Sequence, residues 1–403
     1  MLKDTYSKTD PRILGQRLQA ARKNANLTQQ AVAEVTGLAR TTIVAIEKGE
    51  RLPKEEELLQ FSKLYRRPVH ELLRKQLPSE PLIVQFRAAR RIGEKLDKAI
   101  EDKLEEFQDL CNDYLQLEQI LGCPLPQTQI PVYPLEGTPP ELLAEDVAAR
   151  ERNRLGLGDA PILNLRELLE DEGLRIFQLK LPSRISGFFG YTQALGPCMA
   201  VNSDHPAERR QWSLAHEYAH FLTQRHQVDI SVHHSYQHVP ENERFADAFA
   251  RAFLMPAASV SRRFHEKKRL RGNFLPADLC LLAHFFFVSM EAMARRLERL
   301  QLLRPGAYDR IIANGFSPDE ARSRLRLDPH PVNEEVFPWR YIYLATEALS
   351  KDEISEEEYA HFLRTSDLVK ARHMFHRLQT QSIVAASGED AVIEVAFDEN
   401  ISV

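Results

Sequence analysis

The chain has 403 residues, 43% hydrophobic and 28% charged, with only 16 Gly and 23 Pro, which excludes collagen-like and Gly/Pro-rich low-complexity chains. At roughly 100–200 residues per domain the length predicts about two to four domains. A net charge of −5 gives no overall sign of a nucleic-acid partner, although an average can hide unequal segments.

The opening MLKDTYSKTDPR lacks the apolar core of a secretory leader. No uncharged apolar run reaches about 18 residues, so no membrane-spanning helix is expected. Cys111, Cys123, Cys198 and Cys280 are scattered and form no C-x-x-C pair. That usage argues against a disulfide framework and a thiolate zinc site, and predicts a reducing, cytoplasmic setting.

Residues 1–80 hold 15 Lys/Arg against 10 Asp/Glu, so a head of +5 precedes a body of about −10. Short helices are expected over residues 12–75. Leu14, Leu18 and Ala21 mark one apolar face. Thr28 is an N-cap for a second helix with Ala31, Val32 and Val35 inward, and Gly37 ends it. Ile43 and Ile46 anchor a third helix, and Leu58, Leu59, Phe61 and Leu64 open a fourth beyond Gly49 and Pro53. This is a helix-turn-helix arrangement, in which the second helix of the motif enters the major groove. Arg40, Thr41 and Thr42 begin that helix, with Gln29 and Gln30 at the start of the one before. Arg reads guanine and Gln reads adenine through paired hydrogen bonds, while Lys48 and Arg51 suit phosphates. The segment resembles the XRE (lambda-repressor-like) helix-turn-helix family over about residues 12–74, which implies a five-helix domain that binds double-stranded operator DNA. A bundle used only for protein contacts is the alternative.

From Ala88 to Leu121 the only helix breaker is Gly93. Ile100, Phe107, Tyr114 and Leu121 recur every seven residues beside Leu96, Leu110 and Leu117, with Lys103 interrupting the second seam. The seam predicts either a homodimer through residues 96–121 or packing on the body of the same chain. A Pro-rich linker follows to Pro140. Helices are expected at Leu142–Leu155 and Leu163–Glu172, and strands at Leu174–Leu179, Gly187–Tyr191 and Cys198–Val201.

Trp212–Leu222 carries the strongest chemistry. Two His four apart arise by chance about half the time with 14 His in 403 residues, but Glu217 directly after His216 makes the pattern more than about tenfold rarer. On a helix His216 and His220 share a face and suit one zinc ion, with Glu217 placed to reach a water on that metal. A third ligand is expected from Glu241–Ala250. On this apolar helix Glu243 is assigned to the metal, Asp247 to the distal nitrogen of His216 or His220, and Glu241 is the fallback ligand. A solvated helix end is the bland reading of these acids.

Leu214–His220, Glu243–Ala250 and Phe253-Leu254-Met255-Pro256 together resemble the ImmA/IrrE family of zinc metallopeptidases across residues 160–300. The resemblance implies zinc on His216, His220 and Glu243, Glu217 as catalytic base, and a substrate that is a repressor or antitoxin, the protein's own head included. Tyr218-Ala219 stands where Leu-Gly is usual and Asp247 where Asn is common, so Tyr218 is expected to narrow the space around the metal. The strand Cys198–Val201 is expected to pair with an extended substrate, as edge strands do. Tyr191, His233, His234 and His238 are candidates for steadying the oxyanion. Cys198 reads as a small core residue.

Beyond residue 304 no catalytic signature occurs. A capping box at Ser355–Glu358 and strands at Ser382–Val384 and Ala391–Phe397 are expected. The reading is mainly α with a small β-sheet (α+β): a helix-turn-helix domain (1–77), a long linking helix and Pro-rich linker (78–140), a zincin-like metallopeptidase domain (141–304) and an α+β sensing or interaction tail (305–403). A non-proteolytic repressor or antitoxin that keeps the zincin fold as a scaffold is the alternative function.

Overall fold

In the computed structural model, residues 11–25, 27–65, 69–73, 97–125, 130–135, 137–192, 195–225, 229–232, 240–365, 367–369, 371–372 and 375 are described. The chain divides into two units, Met1–Ser79 and Glu80–Val403.

The first unit contains five helices among its described residues: α1 (Pro11–Asn24), α2 (Gln29–Thr36), α3 (Arg40–Glu47), α4 (Glu55–Tyr65) and α5 (Val69–Leu73). Thr28 caps α2 by accepting from the Ala31 amide, and Gly37 closes it at φ 72°. Leu14, Leu18, Val32, Ile43, Ile46, Leu58 and Phe61 form the core. Val35, expected inward, is 69% exposed, and Ala33 is buried instead. Val32 is fully buried as expected. Gly15 lets α1 lie against α3, since a Cβ there would stand 2.4 Å from the Ile46 carbonyl oxygen.

The second unit is built on a four-stranded sheet of order β1-β3-β2-β4: β1 (Arg175–Leu179), β2 (Ile185–Thr192), β3 (Gly196–Asn202) and β4 (Asp229–Val232). β1 runs parallel to β3, and the other pairs are antiparallel. Alternation along the strands feeds two cores. Ile176, Phe189, Met199 and Val201 join a core with α7 (Pro140–Arg154), α8 (Leu165–Asp171), α9 (Ala207–Gln224), α10 (Glu241–Leu254), α11 (Ala257–Arg271), α12 (Pro276–Phe285) and α13 (Met290–Arg299). Phe177, Phe188, Cys198 and Ala200 belong to the second core. Two short helices, α14 (Ala307–Ala313) and α15 (Pro318–Arg324), follow α13. Both faces are covered, so β1 is buried along its whole length rather than alternating.

The second core decides the fate of the heptad seam. The long helix α6 (Lys98–Leu121) lays Ile100, Phe107, Leu110, Tyr114 and Leu117 on the sheet and on α16 (Trp339–Ser350) and α17 (Glu356–Phe362). Phe107 meets Phe177 at 6.3 Å and Phe188 at 6.1 Å between centroids, and Tyr114 packs edge-on against Tyr341 at 5.5 Å. Among the described residues the seam side chains are buried in their own chain, the second of the two alternatives expected, because a period-7 stripe reports that one face is apolar and not which surface covers it. The Ser355 capping box is present. The strands expected at 382–384 and 391–397, like Leu96, fall outside the described residues. No single helix among the described residues is long and apolar enough to cross a membrane.

Candidate metal centre

The helix α9 begins after Pro206 and carries the His216–His220 pair one turn apart on one face. The helix α10 packs against it and, beginning after Pro240, brings Glu243 to the same point. His216 Nε2 and His220 Nε2 stand 3.1 Å apart. Glu243 places one carboxylate oxygen 3.4 Å from His216 Nε2 and the other 3.5 Å from His220 Nε2. Among the described residues these three are the group able to hold a metal ion, with ligand atoms all within 4.8 Å of one another. A tetrahedral zinc with bonds of about 2.0–2.1 Å has its ligand atoms about 3.3 Å apart. Both the donor set, two imidazoles and a carboxylate, and the spacing fit that ion.

Electrostatics point the same way. Burial pulls His216 down, but hydrogen bonding to Asp247 and Glu243 and the charge of Glu217 outweigh it and hold the imidazole well above its ordinary range. His220 is pushed down to about 4 by burial and by the neighbouring His216. The pocket thus stabilises one positive charge between the rings, and a metal ion replacing that proton meets the same acceptors. Asp247 sits 3.1 Å from His216 Nδ1, on the ring nitrogen distal to the metal position. Glu241 lies at the exposed N-terminus of α10 and is not in the ligand group.

Glu217 is fully buried beside the pair. Its place against the sheet depends on a residue that sequence reasoning passed over as a mere strand position. A Cβ at Gly187 would stand 3.2 Å from Glu217 Oε1 and 2.7 Å from the Ala200 carbonyl oxygen, and the β2–β4 register shifts between Ile185 and Gly187. A glycine inside an otherwise apolar strand was the available signal of a close approach.

Two expectations are corrected here. Tyr218 does not narrow the metal site: it points to the opposite face, donates to Glu151 Oε2 at 2.6 Å, accepts from Arg154 at 2.9 Å and packs on Phe249 and Phe253. A residue two positions after His216 is turned about 200° from it, so a large side chain there locks the helix from behind. β3 cannot receive a substrate strand, because β1 and β2 occupy both of its edges. Tyr191 lies against Phe221 at 6.4 Å, and His233, His234 and His238 fall outside the described residues. Cys198 is a fully buried free thiol in the second core.

The DNA-reading candidates divide. Arg40 and Thr41 are exposed at the start of α3, and Thr42 is half-buried behind them. Gln30 is exposed and bonded to Glu34 at 3.0 Å, and Lys48 is exposed. Gln29 instead donates to the buried Glu47 at 2.8 Å, and Arg51 pairs with Glu57 at 2.9 Å. Those two side chains brace the domain in this state.

Comparison with known proteins follows the same division. Residues 13–74 match the model of a helix-turn-helix domain, and residues 169–298 match that of the IrrE N-terminal-like domain, Peptidase M78. No curated protein sequence matches the chain. Similar solved structures include the Bacillus thuringiensis PlcR complex with the peptide PapR7 and DNA (13% identity, 94% of this chain and 99% of that one, TM-score 0.17). ComR from Streptococcus suis is another (12% identity, 94% and 96%, TM-score 0.16). At those TM-scores neither likeness carries an argument about this protein. The chain joins a helix-turn-helix domain at residues 13–74 to an IrrE N-terminal-like domain of the M78 peptidase type at residues 169–298.

Proposed function

We propose that the protein is a DNA-bound regulator whose second unit is a zinc-dependent endopeptidase acting on a repressor or antitoxin, in trans or on its own head. The observation that carries this reading is the convergence of His216, His220 and Glu243 with Glu217 buried beside them. His216 Nε2, His220 Nε2 and Glu243 would hold the metal, with Asp247 fixing the tautomer of His216 through Nδ1. Zinc, when bound, supplies a Lewis acid and an acidified water. Glu217 takes the proton from the water that attacks the peptide carbonyl, and returns it to the leaving amine nitrogen as the C–N bond breaks. Residues 1–77 read operator DNA through Arg40, Thr41 and Thr42, and residues 305–403 serve sensing or interaction.

Two assays test the two halves. Arg40→Ala should weaken operator binding by about 1–3 kcal/mol and relax preference at the base it reads. Unchanged affinity and preference would remove Arg40 from the recognition surface. Proteins encoded beside this one, incubated with the full chain and with Glu217→Ala, report cleavage. Identical behaviour of the two would favour the scaffold reading over the peptidase.

A further inference from the structure

The body of the protein is acidic, about −10 by sequence, yet one of its helices is strongly basic. Over Ala257–Arg271, α11 carries Arg262, Arg263, Lys267, Lys268, Arg269 and Arg271 against a single acid, Glu266, for a net +5 in 15 residues. Its inner face is occupied. Val260 and Phe264 are buried, Phe264 meets Phe274 at 4.5 Å, and the Arg263 guanidinium lies 3.5 Å over the Phe285 ring. The outer face is left to cations. Arg262, Lys268 and Arg269 are exposed and Lys267 half-buried, and Leu270 between them is 84% exposed. Among the described side chains of this face, Arg262 alone reaches an acid, Asp159 at 3.4 Å. Lys267, Lys268 and Arg269 have no acid partner within ion-pair reach among the described residues.

A helix that collects cations without pairing them raises a local positive potential on a body that otherwise repels polyanions. From these observations we infer that the outer face of α11 is a second, sequence-independent contact for double-stranded DNA, gripping phosphates flanking the operator. Cations along about two helical turns span roughly 10 Å of a charged backbone. A membrane surface is disfavoured because the apolar side of α11 is spent inside the fold, leaving Leu270 alone to insert. The choice of DNA over an acidic protein rests on the proposed DNA-reading role of the head.

The experiment measures binding of the full chain to operator and to unrelated duplex as a function of salt. Lys267→Gln, Lys268→Gln and Arg269→Gln together should lower the slope of log K against log salt by about 2–3, at roughly 0.9 for each phosphate no longer neutralised. The change should be equal on both duplexes, so sequence preference is kept. A Lys267→Arg, Lys268→Arg control keeps the charge and should behave as wild type. An unchanged slope in the Gln variant overturns the proposal. So does an unchanged DNA slope with abolished binding to anionic vesicles or to a polyglutamate peptide, either of which would give the face to another partner. Arg40→Ala reports separately: if the wild type shows no sequence preference, the head reading fails whatever α11 does.

Discussion

Replacing Glu217 by Ala is expected to lower peptide cleavage by about 10²–10⁴-fold, the usual contribution of a positioned general base, while metal content and DNA affinity stay at the wild-type level. The reason is the division of labour at the site. His216, His220 and Glu243 bring their ligand atoms within 4.8 Å of one another and Glu217 is not one of them, so removing its carboxylate deletes the proposed proton carrier and leaves the candidate metal donors in place. The side chain is fully buried, and an Ala there leaves a small cavity rather than a buried charge. Gly187→Ala should reproduce part of the loss with Glu217 intact, since the new methyl group would stand 3.2 Å from Glu217 Oε1. A lower kcat with unchanged metal content is its signature. Full cleavage by the Glu217→Ala protein would remove Glu217 from the chemistry.

Glu47→Ala should destabilise the head by about 3–5 kcal/mol, most of what a domain of that size commands. Glu47 is buried and accepts from Arg22 Nη2 at 3.0 Å and from Gln29 at 2.8 Å, with Arg22 Nε at 2.5 Å from its other oxygen. Removing it strands the buried Arg22 guanidinium. The pH dependence follows from the same contacts. Burial pushes the Glu47 carboxyl up, but hydrogen bonds from Arg22 and Gln29 and the charge of Arg22 outweigh it, and its pKa lies below the ordinary 4.5. A depressed acid contributes stability above its unfolded value and loses it as pH falls through the folded one. Head stability should therefore decline below about pH 4.5. Hydrogen exchange of head amides in the full chain reads both effects. A variant as protected as wild type, or one equally acid-sensitive without Glu47, would contradict this account.

The sequence made the helical chemistry legible because helical neighbours are near in sequence. The His216–His220 face, Glu217, the acids one turn apart on α10, the Thr28 and Gly37 caps and the Ser355 capping box all lie within one or two turns, where a period of 3.6 fixes who meets whom. The Asp247 contact to His216 Nδ1 spans 31 residues and two helices, and it was expected from the chemistry of a ligating imidazole rather than from helical spacing. What depended on distant pairing was not legible. The order β1-β3-β2-β4 puts β3 in the sheet interior, and no local pattern of Cys198–Val201 distinguishes an edge strand from a central one. The partner of the α6 seam comes from residues 177–200 and 341–363. Gln29 looked like a base reader because its type and position allow it, but Glu47, 18 residues on, holds its amide.

The metal content of the purified protein reads the His216–His220–Glu243 site itself. After dialysis against metal-free buffer about one zinc per chain is expected in wild type and Glu217→Ala, and its loss in His216→Ala and Glu243→Ala. Wild-type protein that keeps no zinc, or zinc that survives removal of His216, would contradict it.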